Sequence, residues 1–173
     1  MEAQEKKHEP SEEVKKILDE IDFTKARRGE IIFLAVAVED MCDRIILETF
    51  IKEDKKEAFA LSLLANEVSI GFRVKTMVVG FILKNYPSKH VNDAEQTEVA
   101  KAFEKITSLR NHAAHRKMGY DENMKPYLWH IKTDSHTNKS KPVYLDGKEW
   151  TDFEHSVFIV MNYMIKYLRL PKN

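Results

Sequence analysis

The sequence predicts an all-α fold: a bundle of about five to six helices with one small β-hairpin inserted before the last helix. Three observations carry that expectation. Glycine and proline are few, five of each in 173 residues, which favours long regular elements over many turns. Apolar residues recur at helical spacing along most of the chain. Only residues 116–150 abandon that spacing, and there short aromatic and β-branched runs take over.

Residues 1–10 are polar and are expected to form a flexible tail ahead of a single domain, 11–173. Ser11 after Pro10 is placed to cap a short first helix ending near Ile21, with Glu12 and Glu13 favourable in its first turn. A second helix is expected from about Arg28 to Ile51. Its first half, Ile31–Val38, is apolar all round and suggests a central buried helix. Lys55–Ala65 reads as a third helix and Val68–Tyr86 as a fourth, stopped by Pro87. Asn92 or Asp93 is placed to cap a fifth helix that runs to about His115. Beyond it, Tyr127–Ile131 and Val143–Leu145 suggest two strands of a hairpin joined by the polar stretch Asp134–Lys141. Asp146-Gly147 marks a turn, and Thr151 with Glu154 forms a capping box for a last helix. That helix is expected to pack through Val157, Phe158, Met161, Ile165 and Leu168.

Composition bounds the possibilities. Apolar content of 43% with 32% charged residues is that of an ordinary globular domain. A chain of this length buries about two-thirds of its unfolded surface, so it needs no staple. The single cysteine, Cys42, excludes an intramolecular disulfide and a cysteine-based zinc cluster, and a lone thiol in an apolar helix is expected to be buried and inert. Lys plus Arg equals Asp plus Glu at 28 each, so any affinity for nucleic acid must come from a local patch. Met1–Glu9 is charged and has no apolar signal-peptide core, and Ile31–Val38 is far shorter than the ~20 residues of a membrane span. The expectation is a cytoplasmic protein with no membrane partner.

The chemistry concentrates in the fifth helix. At ~100° per residue, Val99, Ala102, Phe103, Ile106, Leu109 and Ala113 fall on one stripe that must face the core. Ala100, Glu104, Thr107 and Asn111 form a second, small and polar face suited to close approach by another helix. His115 projects away from the core near the side of Asn111, and Arg110 sits on the stripe's edge. Arg110 and His115 are about 140° apart around an ideal helix, so one helix cannot easily aim both at a single phosphate. Two copies about a two-fold axis could, each giving one residue to a shared cleft.

Metal-free RNA cleavage needs a group that titrates near neutrality to take the 2′-hydroxyl proton, and histidine suits this. It also needs a cation that forks onto the phosphate, which arginine does better than lysine. The candidate catalytic residues are therefore Arg110, His115 and Asn111. His112, Lys105, Arg116 and Lys117 are candidate substrate contacts, since no acid interrupts the run from Lys105 to Lys117.

Arg110-Asn111-His112-Ala113-Ala114-His115 resembles the shared motif of the HEPN superfamily: arginine, a polar residue, three more residues, then histidine. Leu109 before the motif and Ala114 inside it are also similar to many bacterial members. The helix order resembles that family over roughly residues 11 to 170. The resemblance implies a helical bundle that dimerises around the motif helices. It also implies cleavage of single-stranded RNA to 2′,3′-cyclic phosphate and 5′-hydroxyl ends, often in a toxin or antiviral setting with an antitoxin partner. In toxins of this family silenced by a nucleotidyltransferase, tyrosine stands two residues after the motif histidine. Lys117 stands there here, so that regulation is not expected.

The alternative from another class is a catalytically silent HEPN-like dimer serving as a regulatory or protein-interaction module, as in the mannitol-operon repressor family. His112 and His115 stand i, i+3 without a carboxylate at ligand spacing, so no metal site is expected. No phosphate-binding loop, nucleophile elbow or dinucleotide fingerprint occurs, and no cofactor is implied. Glu39 and Asp43, at i, i+4, could buttress Arg110, although local surface pairing is the favoured reading. Tyr127, Trp129 and Tyr144 could stack on bases, with a small satellite core favoured instead.

Overall fold

A computed structural model describes residues 10–51, 71–85, 93–131 and 140–168. Among them the chain is mostly helical, with four helices and a small three-stranded antiparallel sheet. Helix α1 is Glu12–Phe50, α2 is Phe72–Asn85, α3 is Asp93–His115 and α4 is Lys148–Leu168; strands β1 (Met118–Tyr120), β2 (Pro126–Ile131) and β3 (Ser140–Val143) lie between α3 and α4.

The expected first and second helices are one 39-residue helix, α1. Ser11 caps it as expected, accepting the Val14 N–H at 3.4 Å. The stretch between the two expected helices, Asp22–Arg27, contains no residue that breaks a helix. It is stitched by i, i+3 pairs, Lys25–Asp22 and Arg27–Glu30. Arg27 also lies over the Trp150 ring at 4.0 Å, which ties this turn to α4. Ile31–Val38 is not buried all round either. Ile31, Ala35, Val38, Cys42 and Ile45 form one buried stripe, whereas Phe33 points outward at 73% exposure.

Helix α2 buries Phe72, Val79, Ile82 and Leu83 against that stripe and leaves Val74, Met77 and Phe81 exposed. The expected third helix, Lys55–Ala65, lies outside the described residues, as do the expected start of α2 at Val68, the Asn92 cap and the centre of the β2–β3 loop.

All six expected core positions of α3 are buried. At about 1.5–3 kcal/mol for each large side chain, that burial fixes how α3 is rotated, and so fixes the direction of its other faces. The strands run in the order β1-β2-β3, with Met118 opposite Leu128 and Leu128 opposite Val143. Leu128 is fully buried and anchors the sheet to the core. β1 was not anticipated; its middle residue, Gly119, lies so close to Tyr127 and Trp129 that a Cβ there would sit 2.5 Å from Trp129 Nε1. Ser140 and Lys141 belong to β3 rather than to the loop, and Tyr144 and Leu145 follow the strand.

Helix α4 begins three residues before the expected cap. The Gly147 carbonyl accepts the Trp150 and Thr151 N–H groups at 3.1 and 3.2 Å, which places Thr151 inside the first turn. The early start buries Trp150 against Phe153. The buried stripe is Trp150, Phe153, Val157, Val160 and Met164, so Phe158 is rotated outward, at 65% exposure, rather than inward. No helix among the described residues is long and apolar enough to cross a membrane.

Candidate functional site

The motif occupies the last turn and a half of α3, where four backbone carbonyls have no partner within the helix. Arg28 of α1 supplies partners for two of them. Its Nε–H donates to the Ala113 carbonyl and its Nη2–H donates to the Ala114 carbonyl at 3.3 Å. A cation at a helix C-terminus also complements the dipole. Arg28 therefore fixes the two peptide groups that immediately precede His115. Sequence reasoning missed it because the tie joins residues 85 and 86 positions apart, and nothing local to Arg28 signals it.

His115 is exposed at the end of the helix, and Asn111 is exposed one turn earlier. Arg110 is half-buried on the edge of the core stripe, and its Nη1–H donates to Asn111 Oδ1 at 3.3 Å. Arg116 is half-buried and Lys117 exposed where α3 gives way to β1. Among the described residues no carboxylate pairs with Arg110, Arg116 or Lys117. This end of the helix is therefore a local concentration of positive charge on a neutral chain.

Two sequence-predicted contacts stand elsewhere. Lys105 is about 15 Å up the helix axis from His115 and pairs with Asp152 of α4 at 3.5 Å. It does not extend the basic patch. His112 is only 8% exposed and turns toward α4. Its Nδ1 meets the Ser108 carbonyl at 2.6 Å, and because a carbonyl only accepts, Nδ1 carries the proton. His112 lines a cavity of about 230 Å³ between α3, α4 and the end of β3.

A second cavity, about 470 Å³, runs between α2 and α3. Its walls include the small face expected on the fifth helix, Ala100, Glu104, Thr107 and Asn111, together with Met77 and Gly80 of α2. It ends at Asn111, beside the motif.

Glu39 and Asp43 do not reach Arg110. They clamp Lys75 of α2 at 3.0 and 2.7 Å in a nearly buried cluster. Burial alone would lower the Lys75 ammonium, but its hydrogen bonds to Asp43 and Glu39 outweigh that and hold it above the ordinary lysine value. Neighbouring Cys42 is buried, and that burial, reinforced by the Asp43 and Glu39 charges, pushes its thiol up to about 12. Its burial is as expected, and a buried thiol held in its protonated form is a poor nucleophile. Tyr127 meets Trp129 and Tyr144 edge-on at 5.1 and 5.8 Å; Tyr127 is buried as the satellite-core reading expects, whereas Trp129 stays exposed. Among the described residues no three His, Cys, Asp or Glu side chains converge at metal-ligand spacing.

The site so defined is an exposed histidine and a half-buried arginine on the last turns of a tightly packed helix in a mostly helical chain. Comparison of the chain with known protein families, curated proteins and solved structures gave no match.

Proposed function

We propose that the chain is a metal-independent endoribonuclease of the HEPN type, acting on single-stranded RNA as a homodimer. The observation that carries this reading is the placement of Arg110 and His115. They sit in the motif spacing on a helix whose rotation is fixed by its buried stripe, at a positively charged end where, among the described residues, no carboxylate pairs with Arg110, Arg116 or Lys117.

In this mechanism His115 takes the proton from a ribose 2′-hydroxyl. The 2′-oxygen attacks the adjacent phosphorus, the bond to the 5′-oxygen breaks, and a proton is returned to that oxygen. The products are a 2′,3′-cyclic phosphate and a 5′-hydroxyl, with no redox change and no added water. Arg110 stabilises the charge that builds on the phosphate oxygens. Asn111 accepts from Arg110 through its amide oxygen, and among the described residues no carboxylate competes with a phosphate for the guanidinium.

The angle of about 140° between Arg110 and His115 makes the site composite, with Arg110 supplied by the partner. The groove that ends at Asn111, rimmed by Met77 with Val74 and Phe81 exposed on the same helix, supports a second copy docking beside the motif. That same apolar helix face would also serve the silent regulatory or protein-interaction module.

The test exploits the composite site. Arg110→Ala and His115→Ala should each abolish EDTA-resistant cleavage of single-stranded RNA. Unfolding and refolding the two variants together yields mixed dimers in which one cleft holds both intact residues, so roughly a quarter of wild-type activity should return. No recovery would place both residues in one protomer's site. No cleavage by the wild-type protein would sink the ribonuclease and leave the interaction module.

A further inference from the structure

The cavity beside His112 lies outside the cleavage chemistry, and nothing in the motif explains it. Its floor is apolar: Leu109, Val143 and the buried Phe153. Its rim is polar and of mixed sign, with Glu149 and Asp152 at i, i+3 on the first turns of α4 and Lys105 paired to Asp152 at 3.5 Å. At about 230 Å³ it is smaller than the ~300–1,000 Å³ of sites for drug-sized ligands, which suits one flat ring system. Two neighbouring carboxylates repel phosphate but accept N–H donors. Lys105, beside Asp152, supplies N–H donors for a carbonyl.

We infer that this cavity is a base-reading subsite that takes a guanine of the RNA substrate. Guanine is the nucleobase whose pairing edge presents two adjacent N–H donors beside a carbonyl acceptor. The donors match Glu149 and Asp152, and the carbonyl matches Lys105. Position supports the assignment as well as chemistry. Ser108, His112 and His115 stand at i, i+4, i+7 on one stripe of α3, so the cavity-lining His112 lies about one helical turn from His115. A single nucleotide covers that span between its base and its own phosphate. The carboxylates then keep the phosphate out of the cavity and toward His115 and Arg116. The inference rests on the ribonuclease reading, but its test does not require cleavage.

The test is a nuclear magnetic resonance titration of the full chain with each of the four nucleoside 3′-monophosphates. Guanosine 3′-monophosphate should bind roughly tenfold tighter than the uridine nucleotide, and should shift the Ser108, His112 and Val143 amides. The isosteric double variant Glu149→Gln, Asp152→Asn changes only rim groups and should bind all four within about twofold of one another. Val143→Phe fills the cavity and should lose the base-dependent shifts.

Equal binding of the four nucleotides by the wild-type protein would overturn the subsite, as would a guanosine preference that survives the double variant. A guanosine preference in a protein that cleaves no RNA keeps the subsite and sinks the ribonuclease. Cleavage without any base preference does the reverse.

Discussion

Two places in this molecule hold a cation near a packed helix, and they are built in opposite ways. Between α1 and α2, Lys75 is nearly buried and clamped by Glu39 and Asp43. At the end of α3, Arg110 donates to the Asn111 amide, and among the described residues no carboxylate pairs with Arg110, Arg116 or Lys117. A buried charge is tolerated only when it is paired, so the Lys75 cluster is a structural element whose charges are already satisfied. Positive groups left without an acid at a surface keep their interaction energy for something else, such as a phosphate. The difference separates architecture from chemistry more sharply than residue type does, since the sequence alone favoured local surface pairing for Glu39 and Asp43, with support of Arg110 as the alternative, and they do neither.

The largest effect that would break this comparison is at Lys75. Replacing it with Met leaves two half-buried carboxylates facing each other without compensation, and should cost about 3 kcal/mol. The measurement is the urea midpoint at neutral pH. The triple replacement of Lys75, Glu39 and Asp43 by Met, Gln and Asn should recover most of that loss, because no charge is then stranded. If Lys75→Met is as stable as wild type, the cluster is not a structural clamp.

A smaller effect is expected at Arg28, which caps the end of α3. It is structural in what it bonds and functional in what it positions. Arg28→Ala removes the cap on the Ala113 and Ala114 carbonyls and should cost about 1–2 kcal/mol of stability. Loss of RNA cleavage should exceed what the unfolded fraction explains, because the last turn carries His115. Arg28→Lys keeps the charge but not the fork, and should restore stability more fully than activity. Equal recovery of both would reduce Arg28 to a stabilising cap.

Arg28 also shows where the sequence stopped being legible. The α3 stripe was readable because one helix carries the whole pattern, and all six of its positions are buried. The motif was readable for the same reason, since its residues are contiguous. What depended on distant partners was not. The turn around Arg27 looked like a break because the ring that anchors it, Trp150, belongs to α4. β1 carries no strand signal in Met118-Gly119-Tyr120, and only its register against Pro126–Leu128 makes it a strand. The start of α4 followed the burial of Trp150 rather than the capping pattern at Thr151. The His112 cavity needed three elements to come together before it existed at all.

The smallest effect is the pH dependence that the Lys75 cluster imposes. The folded protein holds this ammonium above its ordinary value, with burial opposing and the bonds to Asp43 and Glu39 prevailing. A group whose folded value is raised stabilises fully while pH stays below the unfolded value, about 10.4 for lysine, and its contribution is lost as pH rises through the folded value. The stability gap between wild type and Lys75→Met should therefore be flat from about pH 7 to 10 and shrink above that. Cys42 moves in the same direction, since its raised thiol also favours the folded state less as pH climbs, but it is present in both proteins and largely cancels in the difference. The α3 terminus offers the contrast. Arginine keeps its charge throughout this range, so Arg28→Ala measured beside wild type should show a gap that stays level where the Lys75 gap closes. A Lys75 gap that stays equally level would mean that the ammonium is no better held in the folded chain than in the unfolded one.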